Sequence, residues 1–190
     1  MSYAFDQFIE DCREALRTDP GTPGIQAVTD NMRKLLENKA FVDQHFGPEA
    51  EIGVHRLHED PEMDFVVLAH VNDPARKSPP HDHGESWAVY GQTVGHTDMT
   101  CYERVDGGEG AGAAELKVTD SYRLDVGEVG MYDVGEIHAI DYPDGARMLR
   151  VTGRDLDRFP RLVFDLAAGR ARVIESATVG NDPSRTGAMD

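Results

Sequence analysis

The amino-acid sequence predicts an all-β core that follows a helical N-terminal segment. Apolar residues recur at helical spacing through the first 46 residues, and from Glu51 onward the apolar period changes to two. Clusters of glycine, proline and aspartate then separate a series of short alternating stretches. Many short strands at regular spacing are typical of a sandwich or barrel rather than of alternating strands and helices.

Three helices are expected in the N-terminal segment. The first carries an apolar stripe over positions 5–16 and ends at the turn-forming stretch DPGTPG. The second begins at about Ile25, and the third runs through AFVDQHF to Gly47. Apolar stripes of this kind are typical of helices that pack on a core.

Ten strands are expected after the helices. They share alternating apolar and polar residues and are bounded by turn signals: EIGVHRL, DFVVLAHV, SWAVYGQTVG, HTDMTCYERV, AELKVTDSYRL, VGMYDV, EIHAIDY, ARMLRVT, RLVFDLA and RARVIES. The predicted organisation is therefore a helical segment, residues 1–47, packed on a barrel of residues 48–176. The stretch 177–190 lacks periodicity and is predicted to be a disordered tail.

Length and composition indicate one folded domain in the cytoplasm. The chain has 190 residues, of which 39% are hydrophobic, and this length is enough for a sizeable core. The net charge of −16 argues against nucleic acid and anionic membranes as partners, because phosphate binding requires a basic surface. Two cysteines, Cys12 and Cys101, do not make a disulfide framework, and neither a signal peptide nor an apolar run long enough to span a membrane is found.

The stretch SPPHDHGESW places His81 and His83 on either side of one aspartate. If the stretch is extended, both imidazoles project from the same face, about 7 Å apart at Cα. It is then either a histidine-rich polar loop or half of a metal site, and the pattern alone does not decide between them. Four further histidines, His45, His55, His58 and His96, follow no short-range pattern and are interpreted as surface or packing residues when taken singly.

The spacing around these histidines resembles the two motifs of the cupin family, whose fold is the double-stranded β-helix. In the first motif His-x-His is followed by a glutamate and a glycine, at positions that correspond here to Ala88 and Gly95. The second motif runs glycine, proline, glycine, histidine, and its positions are Gly127, Asp133, Gly135 and His138. The two departures are Ala88 for the metal-binding glutamate and Asp133 for the proline.

The resemblance implies a metal site formed by His81, His83 and His138. Glu85 is a candidate for an extra ligand, although its spacing differs from that of the family's glutamate. Three neutral imidazoles with open positions suit Fe(II), Ni, Zn, Mn or Cu. Fe(II) is favoured because open positions allow O₂ and substrate to bind side by side.

Among cupins, a three-histidine site behind a helical segment resembles the cysteine dioxygenase-like thiol dioxygenases, and this likeness extends from Glu51 to Leu156. Ala88 stands in the position of that family's cysteine. Its serine, histidine and tyrosine correspond to Met148, Arg150 and Thr152, and its carboxylate-binding arginine aligns with His55. The resemblance therefore implies the iron scaffold but not cysteine as the substrate.

Strand alternation and the resemblance together predict the residues of the pocket. His70 and Tyr90 are predicted to be catalytic, with a satisfied polar group in the core as the alternative for each. The predicted substrate contacts are Arg150, His55, Gln92, Asn72 and Thr152. For Arg150 the alternative is an internal ion pair with Glu103 or Asp133.

The expected function is that of a non-haem Fe(II)-dependent dioxygenase that acts with O₂ on a small, anionic metabolite, either a thiol or an enolisable acid. Two alternatives remain open on the same scaffold. One is a lyase or isomerase that uses its metal as a Lewis acid without O₂. The other is a non-catalytic cupin that binds a small molecule, and the sequence also leaves open a homodimer.

Overall fold

The computed structural model describes residues 2–175, so the predicted tail lies outside the described residues. The three expected helices are present, α1 at Phe5–Thr18, α2 at Thr22–Leu36 and α3 at Lys39–Phe46. Helix α2 begins earlier than expected because Pro23, which lacks an N–H and has a fixed φ, suits the first turn of a helix. The side-chain oxygen of Asn38 caps α3 by accepting hydrogen bonds from two backbone N–H groups.

Twelve strands follow within the described residues. Their bounds are β1 Gly53–Glu59, β2 Val66–Val71, β3 Arg76–Lys77, β4 Ala88–Val94, β5 Thr97–Arg104, β6 Gly112–Ala113, β7 Leu116–Leu124, β8 Val129–Tyr132, β9 Ile137–Tyr142, β10 Arg147–Thr152, β11 Arg161–Asp165 and β12 Arg170–Ile174. All ten expected strands are present. Strands β3 and β6 were not expected, because two residues are too few to show an alternating pattern.

The strands form two layers in which every pairing is antiparallel. The first layer has the order β1-β2-β10-β4-β8. The second contains β3-β9-β5-β7 and β11-β12-β6. His81 joins these two parts, because it pairs with His138 of β9 on one side and with Val163 of β11 on the other.

The chain passes repeatedly from one layer to the other. Strands β2, β4, β8 and β10 belong to the first layer, and the strand after each of them, β3, β5, β9 and β11, belongs to the second. Two antiparallel layers wound in this way form a double-stranded β-helix of the jelly-roll type. The predicted fold, an all-β double-stranded β-helix preceded by helices, is therefore confirmed.

The central strands of the first layer separate the helices from the interior of the barrel. Leu149 and Val151 of β10 are buried in one cluster with helical residues such as Phe8. The residues that alternate with them, Met148 and Arg150, line an interior cavity. Packing against the helices thus decides which face of β10 points inward, a choice that the hydrophobicity of ARMLRVT leaves open.

Helix α2 lies directly against the backbone of β4 at Gly91. A Cβ atom on this glycine would lie 2.6 Å from Sδ of Met32 and 2.8 Å from Cδ1 of Leu36. A larger residue there would force the side chains of Met32 and Leu36 to move. Within residues 2–175, no helix combines the length and the apolar character needed to cross a membrane.

Candidate metal centre

Three histidines converge in the space between the two layers. His81 and His83 lie on the segment between β3 and β4, and His138 lies on β9. One ring nitrogen from each histidine lies within 4.8 Å of the other two, and the Nε2 atoms of His83 and His138 are 3.3 Å apart. Within the described part of the chain, no cysteine or carboxylate joins this cluster.

Backbone hydrogen bonds hold the His-x-His segment between β9 and β11. His81 and His138 exchange N–H···O bonds of 2.8 and 3.0 Å. Asp82 faces the other way, and its Oδ1 accepts the backbone N–H of Gly84 at 3.0 Å and of Leu162 at 2.8 Å. The aspartate therefore anchors the segment to β11, while extended geometry leaves both flanking histidines on the cluster side.

Burial keeps the three rings neutral. It lowers the pKa of His81 to about 4, and it lowers the pKa values of His83 and His138 well below the usual range. The positive charge of Arg150 lowers all three pKa values further. At neutral pH the imidazoles therefore lose no proton when they bind a cation.

The hydrogen bond of His81 leaves its Nε2 available for a metal ion. Nδ1 of His81 lies 3.0 Å from the carbonyl oxygen of Pro79, and since a carbonyl only accepts, Nδ1 carries the proton. Nδ1 of His83 and of His138 is buried without a hydrogen-bond partner among the described residues. The hydrogen bond to Pro79 therefore fixes the tautomer of His81. No such hydrogen bond to Nδ1 is found for His83 or His138 among the described residues.

The spacing of one donor pair, the Nε2 atoms of His83 and His138, fits two ligands of one mononuclear ion. Two donors that each lie about 2.1 Å from one ion are about 3.0 Å apart at a right angle and about 3.4 Å apart at the tetrahedral angle. The 3.3 Å between Nε2 of His83 and Nε2 of His138 falls in this interval. The cluster could thus hold a metal ion through three neutral nitrogen donors.

Tyr90 lies at the edge of the cluster. Its hydroxyl is 3.1 Å from Nε2 of His83, and in the register of β4 and β10 it stands directly opposite Arg150. Burial raises the pKa of Tyr90, whereas the charge and hydrogen bond of Arg150 lower it. The net shift is upward, so the phenol is protonated at neutral pH and can donate to His83.

A second buried tyrosine, Tyr132 of β8, contacts the cluster through its ring alone. The ring centroids of Tyr132 and His138 are 3.9 Å apart. The hydroxyl of Tyr132, however, is 2.7 Å from the hydroxyl of Tyr122. Its aromatic face supports His138 while its polar atom is occupied elsewhere.

A cavity of about 330 Å³ opens in front of the histidines. Among its lining residues are three arginines from three different strands, Arg76 of β3, Arg150 of β10 and Arg161 of β11. One carboxylate, that of Asp157, lies among the lining residues. A chain with a net charge of −16 thus places a local excess of positive charge beside its histidine cluster.

Two predicted pocket residues, His70 and Asn72, also line this cavity. His70 belongs to β2, and Asn72 follows directly after that strand. The Nδ2 atom of Asn72 is buried and has no hydrogen-bond partner among the described residues. Both side chains are therefore placed to contact a molecule bound in the cavity.

His55 does not fit its predicted role as a substrate contact. Its neighbour Val54 lines the cavity, so alternation along β1 turns His55 to the opposite face. There its Nε2 lies 2.7 Å from the carbonyl oxygen of Glu51. The alignment of His55 with the family's carboxylate-binding arginine matches positions along the chain and does not take this alternation into account.

Gln92 and Thr152 are buried, but their polar atoms serve the protein itself. The amide of Gln92 donates to the carbonyl oxygen of Val94 and accepts from the hydroxyl of Thr97, both at 2.8 Å. The hydroxyl of Thr152 donates to the carbonyl oxygen of Arg154 at 2.8 Å. Neither residue lines the cavity, so we correct both assignments from substrate contact to structural polar group.

Glu85 is not placed to be an extra ligand. Its side chain is 79% exposed and forms an ion pair of 2.9 Å with Arg154. The turn after His83 directs it to the surface.

Arg150 does not form the internal ion pairs that were its alternative. Glu103 pairs with Lys117 at 3.0 Å, and Asp133 accepts a hydrogen bond from Thr22. Nε of Arg150 is buried and without a hydrogen-bond partner among the described residues. The guanidinium is therefore directed to the cavity and to Tyr90.

Comparison with known proteins gives similarity in fold alone. No protein-family model and no curated protein matches the sequence. Solved structures with similar folds include the cupin domain of Cnp3 from Schizosaccharomyces pombe (TM-score 0.43, 11% identity, 57% of this chain and 66% of that domain). KdgF from a Halomonas species has a TM-score of 0.39 with 13% identity, over 52% of this chain and 74% of KdgF.

An oxalate oxidase solved with the substrate analogue glycolate has a TM-score of 0.38 and 18% identity, over 53% of this chain and 48% of that enzyme. At such identities and TM-scores, these likenesses carry no information about the reaction of this protein.

Proposed function

We propose that this protein is a metal-dependent oxygenase that uses Fe(II) and O₂ to oxidise a small, anionic metabolite, either a thiol or an enolisable acid. One observation carries the proposal. A cluster of three neutral histidines with open space beside it lies in the same cavity as three arginines.

His81, His83 and His138 are the residues that would hold the iron. Iron bound there supplies the redox chemistry that O₂ activation requires, and three protein donors leave coordination positions open for small molecules. The other metals that suit three imidazoles, Ni, Zn, Mn and Cu, have the same donors available. The protein's part is to present neutral rings in fixed positions, which their burial and the backbone pairing of His81 with His138 support.

The arginines would bind and orient the substrate. The cavity lining has three arginines, Arg76, Arg150 and Arg161, and a single carboxylate. This local positive charge attracts an anion that the negative charge of the rest of the chain would repel. A guanidinium can hold a carboxylate through two parallel hydrogen bonds, and this fixes the direction of the rest of the molecule. His70 and the amide of Asn72 lie in the same cavity and would contact the remaining polar atoms.

Oxygen consumption tests the reaction class. The protein is reconstituted anaerobically with Fe(II), and small thiols and enolisable acids are then screened for substrate-dependent O₂ uptake. We expect uptake with a stoichiometric oxidised product. Turnover without O₂ under Zn or Ni would instead indicate a lyase or isomerase, and binding without turnover under every metal would indicate a binding protein.

The exchange Arg150→Lys tests the anionic substrate. Lysine keeps the charge but cannot form the two-pronged contact, so we expect KM to rise at least tenfold, which corresponds to about 1.4 kcal/mol. Metal content should stay the same, because Arg150 is not a ligand. The matched control is Arg123→Lys, which changes a surface arginine paired with Asp98 and should leave KM unchanged. An unchanged KM for Arg150→Lys would remove the argument for an anionic substrate.

A further inference from the structure

Tyr90 offers an oxygen atom at the histidine cluster. Its Oη lies 3.1 Å from Nε2 of His83. This distance falls between the separations of about 3.0 Å and 3.4 Å expected for two donors that share one ion. Nε2 of His138, at 3.3 Å from the same atom of His83, falls in that interval too. The distances from Nε2 of His83 to Oη of Tyr90 and to Nε2 of His138 are thus both those expected between two ligands of one metal ion.

The oxygen donors around Tyr90 are engaged elsewhere. The carboxylate of Asp82 accepts backbone N–H groups, and Glu85 is paired with Arg154 at the surface. Ala88, two residues before Tyr90 on the same inward face of β4, carries no donor atom. The hydroxyl of Tyr132 is bonded to that of Tyr122. The phenol of Tyr90, by contrast, lies with its oxygen within hydrogen-bonding distance of Nε2 of His83.

The charge balance favours an anionic ligand at this position. Three neutral imidazoles leave the full charge of a metal ion uncompensated, and Arg150 stands directly opposite Tyr90. A negative oxygen ligand would offset part of the charge of a bound ion and would face the guanidinium of Arg150.

We infer that Tyr90 is a fourth protein ligand, which binds the metal through its phenolate oxygen beside His81, His83 and His138. The inference rests on the proposed metal centre and deepens it, because it gives the centre one oxygen ligand and one negative charge. On coordination the Oη–H bond breaks, the bond from Oη to the metal forms, and the proton passes to water. No electron is transferred in this step.

Visible absorption of the ferric protein tests the inference without any measurement of activity. A phenolate bound to Fe(III) gives a ligand-to-metal charge-transfer band in the visible range, which imidazole ligands do not give. We expect this band in the wild type and in Tyr132→Phe, and we expect Tyr90→Phe to lose it. Tyr132→Phe is the matched control, because that ring also contacts a histidine of the cluster while its oxygen lies elsewhere.

Metal affinity gives a second measurement. Tyr90→Phe keeps all three histidines, so it should still bind iron, but with an affinity reduced at least tenfold. A band that persists in Tyr90→Phe, or an iron-loaded wild type that has no band, would overturn the inference and leave the three-histidine centre intact. Failure of the wild type to bind iron at all would overturn both.

Resonance Raman spectra of the wild type keep the test open if Tyr90→Phe does not fold. Excitation within the band should enhance the ring vibrations of a coordinated phenolate, and these should shift when the tyrosines are ring-deuterated. The same spectrum is expected from Tyr132→Phe. Absence of phenolate vibrations in both iron-loaded proteins would contradict a tyrosine ligand.

Discussion

Replacement of His81, His83 or His138 by alanine is expected to remove most of the bound transition metal. The cluster has three nitrogen donors from two strand-like segments, and among the described residues it contains no carboxylate that could replace the donor each substitution removes. Elemental analysis of the purified proteins after loading and desalting measures the result. The protein should remain folded, since the backbone bonds between His81 and His138 do not depend on the imidazoles.

His45→Ala and His96→Ala are the matched controls. The ring of His45 lies against that of Phe41 among the helices, with centroids 4.8 Å apart, and His96 lies in the turn between β4 and β5. Both variants should retain the metal content of the wild type. Equal metal in all five variants would mean that the ion binds elsewhere.

Asp60→Ala should lower the free energy of unfolding by about 3–5 kcal/mol. The side chain of Asp60 is fully buried, and its Oδ2 accepts two hydrogen bonds from Arg13 of α1, at 3.0 and 2.8 Å. Its Oδ1 accepts the backbone N–H of Glu62 and Met63. Alanine would leave the side chain of Arg13, which is only 14% exposed and keeps Glu10 as an ion-pair partner, and two backbone N–H groups without these acceptors.

Chemical denaturation measures this loss, and Asp98→Ala provides the comparison. Asp98 forms an ion pair with Arg123 in which both side chains are about half exposed. Exposed pairs of this kind contribute about 0–1 kcal/mol. An equally small loss of stability in both alanine variants would show that the contact between Asp60 and Arg13 does not stabilise the packing of α1 on the barrel.

The contribution of Asp60 should disappear in acid. Burial alone would raise its pKa, but the hydrogen bonds from Arg13, Met63, His58 and Glu62 outweigh burial and lower it. A carboxyl group whose pKa is lower in the folded chain stabilises the protein above its unfolded value of about 4, and this stabilisation is lost as the pH falls through the folded value. The difference in stability between the wild type and Asp60→Asn should therefore narrow below about pH 4.

The fold was accessible from the sequence because its signals are local. The change of apolar period after the helices and the turn signals between strands predict ten strands that the structure contains. The short strands β3 and β6 were not predicted, because two residues are too few to show an alternating pattern. The first turn of α2 was not predicted, because Pro23 was interpreted as part of a helix-breaking stretch. In the structure Pro23 lies in the first turn of that helix.

The candidate site was accessible only where the spacing of a motif reflects strand geometry. His81, His83 and His138 were predicted together, and the structure brings them together. Arg76 and Arg161 were not predicted as cavity residues, because no local sequence pattern indicates that β3 and β11 border the same cavity. Their proximity follows from the topology of the whole barrel. His55 was misplaced for a related reason, since alternation along an edge strand cannot be fixed without knowledge of what covers each face.

The close fit of α2 on Gly91 also affects how a newly made chain reaches its native state. The helices leave the ribosome first, but the sheet that they cover is complete only when β10 has been made. Its Arg147 then bonds to the carbonyl oxygen of Phe46, 101 residues earlier in the chain. Until that point the apolar faces of helix and sheet lack their full set of partners and are open to association with other chains. Slow synthesis at low temperature, or a chaperone that shields apolar surfaces, should therefore raise the yield of folded protein.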